Sequence, residues 1–421
     1  MNGFATQGRP RRAPRFAPDL DALEARRLMA ATPAQVAAMA VATPVETPGQ
    51  NDIGDTTGGG KPLAPVVPIA ARTKARLTPR VVRELNAEID RYVAENNLPS
   101  VAVGIWVPGS GRFLATRGTT SLESSRERTV ADPFRIASIT KTFTATAVLQ
   151  LADRGKLRTS DPLSTWFPNF PNARNITVDD LLRMRSGLAD GFDEAFLQEY
   201  YANPRIRVPV SQILARTAAK ADRFKPPGEA TVYNNTNYIL LQEIVEKVSG
   251  RTLGQQIQRT ILRPLGLRDT LYPTTDQLRS PLRGYSLDPA TGRYIDRTVL
   301  NPAIAGGAGA MISTLGDLKT SARALATGTL LKRNTQQVRL DGAPISGAPS
   351  FVKYGQGIEE LGRFVGHNGT IFGFSSEMYD LPALKATIVI NVNRLDADDQ
   401  SQSTPLFVAL SKIAFPEYVN W

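Results

Sequence analysis

The chain has 421 residues, of which 42% are hydrophobic and 21% are charged, the ordinary composition of a globular protein. It contains no cysteine and one histidine, which excludes disulfides, thiolate nucleophiles and metal sites built from cysteines or several histidines. We therefore expect metal-free chemistry without a cofactor. At roughly 100 to 200 residues per domain, one large domain with a tail or two to three smaller domains would fit.

The net charge of +11 is spread along the chain. Residues 1–75 hold 9 Lys and Arg against 6 Asp and Glu, so most of the excess lies beyond them. No Lys/Arg cluster there is interleaved with aromatic residues, and we expect no nucleic-acid partner. No run of about 18 apolar residues exists either, which predicts no transmembrane span.

Residues 1–75 predict a targeting segment and a disordered linker. The segment is rich in Pro, Ala and Gly and too poor in large apolar residues to pack. Its Ala-rich stretch 28–45 is a weak signal-peptide candidate, interrupted by Pro33 and Gln35. Residues 20–28 resemble a short basic motif of exported bacterial proteins. We expect an exported protein, periplasmic or extracellular.

The remainder, residues 76–421, predicts one enzyme domain. Thr78 can cap a helix from Pro79 to Asn96, whose apolar residues recur three or four positions apart. Strand patterns lie at both ends of the domain: a hairpin over 100–117, and strands at 351–359, 363–365, 374–380 and 386–392 within 351–392. A mainly helical region lies at about 155–295. Strands from both ends should pair into one sheet around this helical subdomain.

The first chemical motif is Ser138-Ile139-Thr140-Lys141, at the start of an almost uncharged helix that should lie in the core. Side chains three apart share a helix face, which places Ser138 and Lys141 side by side. Burial without a local carboxylate would lower the pKa of Lys141, and the neutral amine could accept the serine proton. The alternative is a capping serine beside a lysine that reaches to solvent.

The second motif is Tyr233-Asn234-Asn235, which follows Pro226-Pro227-Gly228 and precedes an apolar helix. We expect it on a loop at the helix N-terminus. The Tyr233 phenol could relay a proton between the serine, the lysine and a leaving group, and the Asn235 amide could hold the lysine or a substrate carbonyl. The alternative is a turn with Asn caps.

The third motif is His367-Asn368-Gly369, which is followed by Thr370. A strand that ends in this motif would offer an imidazole, a glycine that lets substrate approach, and the Thr370 N–H as an oxyanion donor beside that of Ser138. Alternatively, Asn-Gly is the strongest short hairpin signal, and His367 would merely flank a turn.

Together the three motifs resemble the SxxK, YxN and HxG set of the penicillin-recognising serine hydrolases. The chain looks like the branch of class C β-lactamases, D-alanyl-D-alanine carboxypeptidases and related esterases. Further matching segments support this resemblance, which covers about residues 80–395: Phe134-Arg135-Ile136-Ala137-Ser138, Ile176-Thr177-Val178-Asp179-Asp180-Leu181-Leu182, Ser186-Gly187-Leu188, Pro264-Leu265-Gly266-Leu267 and Met311-Ile312-Ser313-Thr314.

The resemblance implies a fold of mixed α and β structure, in which helices and a helical subdomain flank an antiparallel sheet as in β-lactamases and transpeptidases. It also implies roles. Ser138 would be the nucleophile, Lys141 its base partner and Tyr233 the proton relay. Asn235, His367, Gly369 and Thr370 would bind or place substrate, with His367 sharing proton handling. Class C β-lactamases usually have Lys-Thr-Gly where this chain has His367-Asn368-Gly369, which lowers the expectation of efficient β-lactamase activity and of carboxylate recognition by Asn368.

The leading functional hypothesis is a serine hydrolase that cleaves D-alanyl-D-alanine peptides of peptidoglycan through an acyl-enzyme. The alternatives are a small-ester hydrolase, a D-aminopeptidase or a weak class C-type β-lactamase. A more remote one is a non-catalytic penicillin- or cell-wall-binding module. Two other sites are rejected. Residues 306–311 lack the third glycine of a phosphate loop, and no GxSxG nucleophile elbow accompanies the histidine.

The tail should be dispensable for catalysis. Because residues 1–75 lack the apolar content to join a core, a protein that starts near Ala75 should fold and keep the specific activity of the full chain. Thermal unfolding and turnover of the two forms test this. A truncated protein that is soluble but inactive would show that the boundary is misplaced.

Overall fold

The computed structural model describes residues 76–288, 291–396 and 401–419; the predictions for residues 1–75 therefore lie outside the described part. The first helix, α1 (Pro79–Glu95), begins as its sequence predicts, with the Thr78 hydroxyl accepting a hydrogen bond from the Val81 N–H. Its buried residues are Leu85, Ile89 and Tyr92, which are the apolar stripe that anchors the helix to the domain.

An antiparallel sheet of eight strands forms the centre of the domain, in the order β2-β1-β12-β11-β10-β9-β8-β7. The first and last strands along the chain are neighbours in this sheet, since β1 pairs with β12 and Val103 lies opposite Ile390. The strands are β1 (Ser100–Val107), β2 (Gly111–Gly118), β7 (Ala343–Pro344), β8 (Val352–Tyr354), β9 (Glu359–Leu361), β10 (Phe364–Ile371), β11 (Phe374–Leu381) and β12 (Ala386–Val392). Two short pairs lie outside this sheet: β3 (Phe134–Arg135) with β6 (Ile312–Ser313), and β4 (Tyr285–Leu287) with β5 (Tyr294–Asp296).

Most helices lie in the segment between β2 and β7. The longest of them are α2 (Thr140–Asp153), α6 (Asn235–Ser249) and α10 (Leu315–Thr327). The others are α3 (Val178–Leu182), α4 (Glu194–Ala202), α5 (Val210–Ala218), α7 (Leu253–Ile257), a π-helical turn (Gln258–Leu262), α8 (Arg263–Leu265), α9 (Gly306–Gly309) and α11 (Arg333–Arg339). Short 3₁₀ turns cover Ala137–Ile139, Leu163–Thr165, Ala221–Arg223 and Pro302–Ile304, and α12 (Ser403–Ala414) with a final turn (Pro416–Tyr418) closes the described chain.

Helices cover both faces of the sheet. Successive side chains of a strand point to opposite faces. On β11, Tyr379 packs against Phe407 of α12, whereas its neighbour Asp380 binds Arg323 of α10 at 2.8 Å. The sheet is therefore the middle layer, with α12 on one side and α10 on the other, which confirms the predicted sheet flanked by helices.

Two strand predictions are wrong in detail. The predicted strand 351–359 is two strands, β8 and β9, because the backbone turns at Gly357, where φ is +68°. The predicted strand 363–365 continues as β10 through Ile371, and the hairpin turn falls at Phe372-Gly373. The Asn368-Gly369 pair thus lies inside a central strand and forms no turn, because pairing with β11 overrides the local turn preference.

A buried carboxyl gives the fold a testable pH dependence. Glu377 of β11 accepts hydrogen bonds from the Ser403 and Thr404 hydroxyls at the start of α12, and burial raises its pKa to about 8. The folded state therefore binds this proton more tightly than the unfolded state, whose carboxyl has a pKa near 4.5. The resulting stability is complete at low pH and is lost as the pH rises towards 8.

Glu377→Gln should remove this component of the pH dependence. Between pH 5 and 8, the variant should lose less stability than the wild type, as measured by urea unfolding. The change at the exposed residue Glu127, Glu127→Gln, is the matched control. Equal slopes for Glu377→Gln and the wild type would refute a raised pKa at Glu377.

Candidate active site

Ser138 lies in the 3₁₀ turn that leads into α2 and is 2% exposed. The residue before it, Ala137, has a φ of +46°, a left-handed conformation that is rare for non-glycine residues. The neighbouring strand β10 comes so close that a Cβ on Gly369 would lie 2.4 Å from the Ile136 carbonyl oxygen and 3.0 Å from the Ser138 nitrogen. Only glycine fits here, and its absent side chain brings the strand against the serine.

Lys141 lies one turn further along, fully buried, with three hydrogen-bond acceptors around its amine. Its Nζ is 2.8 Å from Ser138 Oγ, 2.9 Å from Asn235 Oδ1 and 2.8 Å from the Ala308 carbonyl oxygen. Burial lowers its pKa well below the ordinary value, and the negative charge of Asp190 opposes that shift. A neutral amine can donate to Asn235 and Ala308 and accept the serine proton, so the geometry suits a base.

The second motif lies at the start of α6, where the sequence predicts a helix N-terminus; Asn234 is the N-cap residue. Asn235 receives the Lys141 hydrogen bond on Oδ1 and donates from its backbone and side chain to one oxygen of Asp190, at 3.0 and 3.3 Å. Asp190 therefore fixes the orientation of the Asn235 amide, so that Asn235 Oδ1 faces the lysine amine.

Tyr233 covers the other side of the lysine, whose Nζ lies 4.9 Å from the ring centroid. Burial raises the pKa of the Tyr233 phenol well above 10, and a smaller effect from the adjacent Ser138 hydroxyl lowers it. The phenol therefore stays protonated at neutral pH and must act as a donor or as a relay that gives one proton while it receives another.

His367 is fully buried in β10, and both of its ring nitrogens have partners within the protein. Nδ1 lies 2.6 Å from the carbonyl oxygen of Asn368, and Nε2 lies 3.1 Å from the Tyr354 hydroxyl. Burial and the nearby Lys141 lower its pKa to about 3, which keeps the imidazole neutral. A neutral ring with both nitrogens engaged within the protein suits a placement role, and the expected sharing of proton handling stays a prediction.

The register of β10 determines where the Thr370 N–H points. Ile371 and Phe374 flank a two-residue turn and therefore form a hydrogen-bonded pair, in which each N–H donates to the carbonyl oxygen of the other. Along the hairpin, hydrogen-bonded pairs alternate with pairs that share no backbone hydrogen bond. Thr370, one residue before Ile371, therefore turns its N–H away from β11. Because the preceding Gly369 lies against the Ile136 and Ser138 backbone, this N–H is a candidate oxyanion donor near that of Ser138.

The structure thus brings all seven predicted residues into one cluster, from the α2 turn, the α6 start and strand β10. Sequence reasoning missed three members: Asp190, Tyr354 and the Ala308 carbonyl. Asp190 lies two residues after Ser186-Gly187-Leu188, a segment that carries part of the family resemblance. This proximity is a signal from which Asp190 could have been predicted. No pattern marks Tyr354, because β8 is three residues long and the contact spans 13 positions.

Within the described residues, no group of three or more histidine or acidic side chains is placed to bind a metal ion. No helix of the same part of the chain combines the length and apolar character needed to cross a bilayer. The rejected glycine-rich loop serves packing: a Cβ on Gly307 would meet the Tyr238 carbonyl oxygen at 2.8 Å.

The chain matches known proteins in sequence and in fold. A model of the Beta-lactamase family matches residues 85–411. Penicillin-binding protein 4* of Bacillus subtilis is 26% identical over 292 residues, which are 64% of this chain and 62% of that protein. The D-alanyl-D-alanine-carboxypeptidase/endopeptidase AmpH of Escherichia coli K12 is 27% identical over 60% of this chain and 65% of its own length. The chain therefore spans somewhat less than two thirds of these curated relatives.

Solved structures match over a larger share. The D-stereospecific amidohydrolase from Streptomyces sp. superposes with a TM-score of 0.68 at 29% identity, over 80% of this chain and 97% of that one. The D-amino acid amidase from Ochrobactrum anthropi SV3, crystallised with L-phenylalanine amide, gives 0.70 at 25% identity, over 80% and 99%. These matches confirm the predicted fold class.

Lys141→Arg tests the role of the buried amine. Arginine keeps a cation but cannot lose a proton near neutral pH, so acylation of Ser138 should fall by several orders of magnitude. Mass spectrometry after exposure to a fluorophosphonate measures the acylation, and thermal unfolding checks that the variant folds.

The control is Lys247→Arg, at an exposed lysine of α6 whose amine lies over the Phe167 ring. This variant should be labelled like the wild type. Labelling of Lys141→Arg at a similar rate would contradict a base at position 141.

Proposed function

We propose that this chain, which belongs to the Beta-lactamase family, is a serine hydrolase that works through an acyl-enzyme formed on Ser138. One observation carries the proposal: a fully buried lysine amine lies 2.8 Å from the serine hydroxyl. A desolvated lysine beside a serine in the first turn of a core helix is a nucleophile paired with its base.

In the first step, the Ser138 oxygen attacks the substrate carbonyl carbon while its proton passes to neutral Lys141. The carbonyl oxygen becomes an oxyanion, which the backbone N–H groups of Ser138 and Thr370 stabilise. The resulting ammonium can donate three hydrogen bonds and has three acceptors, Ser138, Asn235 and Ala308. The protonated state is therefore satisfied within the site and needs no bulk water.

In the second step, the tetrahedral intermediate collapses and the leaving amine or alkoxide takes a proton. Tyr233 adjoins both Lys141 and Ser138, and its phenol can pass its proton to the leaving group while it receives that of Lys141. Water then attacks the acyl-enzyme by the reverse sequence, which restores Ser138 and leaves the lysine neutral.

The leading substrate class is D-alanyl-D-alanine peptides of peptidoglycan, as sequence analysis indicates. The name of AmpH, a D-alanyl-D-alanine-carboxypeptidase/endopeptidase, supports it. A second class is amides of D-amino acids, and two solved structures favour it because they are a D-stereospecific amidohydrolase and a D-amino acid amidase. Small esters fit the same chemistry.

We further propose that the enzyme acts outside the cytoplasm, on the cell wall. The basic and Ala-rich N-terminal segment supports export, and so do relatives named as penicillin-binding proteins. Hydrolysis of D-Ala-D-Ala peptide, D-phenylalanine amide, a chromogenic cephalosporin and p-nitrophenyl acetate, compared on one preparation, would rank the substrate classes. An inert protein on all four would refute the enzymatic proposal and favour a binding module.

Paired variants at positions 233 and 367 separate three mechanisms. In the proposed mechanism, His367→Ala weakens placement but leaves slow acylation of Ser138, and Tyr233→Phe is at least as damaging. A Ser-His triad requires the opposite order, with His367 as essential as the serine. A histidine that only fills space would leave the rates unchanged.

Single-turnover acylation rates on one activated ester distinguish these outcomes. Tyr92→Phe is the matched control, since it removes a largely buried hydroxyl of α1 that donates to the carbonyl oxygen of Gln402, the residue just before α12. Wild-type rates in both Tyr233→Phe and His367→Ala would overturn the assignment of the site.

A further inference from the structure

We propose that Tyr354 is a positioning residue for His367, which its hydroxyl holds in a single tautomer and orientation behind the oxyanion strand. This inference rests on the proposed function, since it concerns how the third motif is held in place. Tyr354 belongs to β8, two strands away from the strand that carries His367, and is fully buried.

The proton positions follow from the hydrogen-bond partners. The Asn368 carbonyl oxygen can only accept, so the 2.6 Å contact with Nδ1 requires the ring proton on Nδ1. Nε2 of the neutral ring is then an acceptor, and the Tyr354 hydroxyl, 3.1 Å away, must donate to it. Both nitrogens are thereby fixed, and the tautomer is set by the partners on either side.

A second tyrosine competes for the same proton. The Tyr238 hydroxyl donates to the Leu182 carbonyl oxygen at 3.0 Å, so its oxygen is a second acceptor for the Tyr354 hydroxyl, at 3.4 Å. His367 Nε2 is the nearer acceptor, at 3.1 Å, and the neutral ring has no proton there to donate in return, which assigns the Tyr354 proton to the histidine. Burial raises the pKa of Tyr354 well above 10, so that it keeps this proton.

The Tyr354 ring also joins two predicted site residues. It meets the Tyr233 ring edge to face, with centroids 5.9 Å apart, and the His367 ring in the same manner at 5.6 Å. The hydroxyl therefore acts on the histidine, while the ring supports both neighbours. Tyr354→Phe keeps the ring contacts and removes only the hydrogen bond, which makes it a specific test.

The single histidine of the chain provides a direct spectroscopic readout. In tag-free protein labelled with ¹⁵N-histidine, every imidazole nitrogen signal comes from position 367. We expect a protonated, pyrrole-like Nδ1 and a pyridine-like Nε2 at neutral pH, assigned by long-range ¹H–¹⁵N correlations to the ring protons. In Tyr354→Phe, the Nε2 signal should shift towards that of a nitrogen without a hydrogen bond.

Two spectroscopic results would overturn the proposal. One is a protonated Nε2 in the wild type, which needs no variant and so remains decisive if Tyr354→Phe does not fold. The other is an unchanged Nε2 signal in a folded Tyr354→Phe. The control Tyr92→Phe should leave both nitrogen signals unchanged, because its hydroxyl lies on α1, away from the site.

A double-mutant cycle tests whether the effect on catalysis passes through the histidine. Tyr354→Phe should slow acylation about tenfold, the scale of one lost hydrogen bond. In the His367→Ala background the same change should have no further effect, because its target is gone. Equal slowing in both backgrounds would show that Tyr354 acts independently of His367 and would overturn the proposal.

The nitrogen spectra and the acylation rates separate the positioning proposal from the proposed function. If the wild type is not acylated by any ester or penicillin, the proposed function fails, while the nitrogen signals still decide whether Tyr354 holds His367. If acylation occurs but the signals show no bond to Tyr354, the positioning proposal alone fails.

Discussion

The burial of Lys141 is the constraint on which the rest of the site depends. An uncompensated charge in the core costs several kcal/mol, so this amine must be neutral or surrounded by acceptors. Its acceptors are Ser138 in the turn just before its own helix and two groups from distant segments, Asn235 at the start of α6 and the carbonyl of Ala308 in α9. The fold brings these segments together at one point and thereby builds a base that can exist in both protonation states.

Such convergence requires backbones to approach closely, which explains where the glycines lie. A Cβ on Gly369 would collide with the Ile136 carbonyl oxygen, and one on Gly307 with that of Tyr238. Gly357 is similar, since a Cβ there would lie 2.2 Å from Ala145 and 3.3 Å from the Lys141 carbonyl oxygen. These positions pack β10 against the turn that precedes α2, α9 against α6, and the β8–β9 turn against α2, so replacing any of them would displace an element of the site.

The sequence predicts the parts of the fold and of the site that obey local rules. In the fold, Thr78 caps α1 as expected. In the site, spacing places Ser138 beside Lys141, and the almost uncharged helix implies a buried amine. Sequence reasoning fails where tertiary pairing decides the outcome. Asn368-Gly369 is a strong turn signal in isolation, yet it lies within a central strand because β11 pairs along its whole length. Asp190 and Tyr354 act through contacts that span 45 and 13 positions and follow no periodicity.

The neutral histidine has a consequence for substrate choice. A lysine at position 367 would bring a second amine near Lys141 and, when protonated, offer an ion pair to a substrate carboxylate. His367 does neither, because burial and Lys141 lower its pKa to about 3 and both ring nitrogens are bound within the protein. Under the proposed function, recognition at this strand would rest on neutral hydrogen bonds and shape. A substrate that ends in an amide or ester loses nothing by this, whereas a terminal carboxylate must find its cation elsewhere.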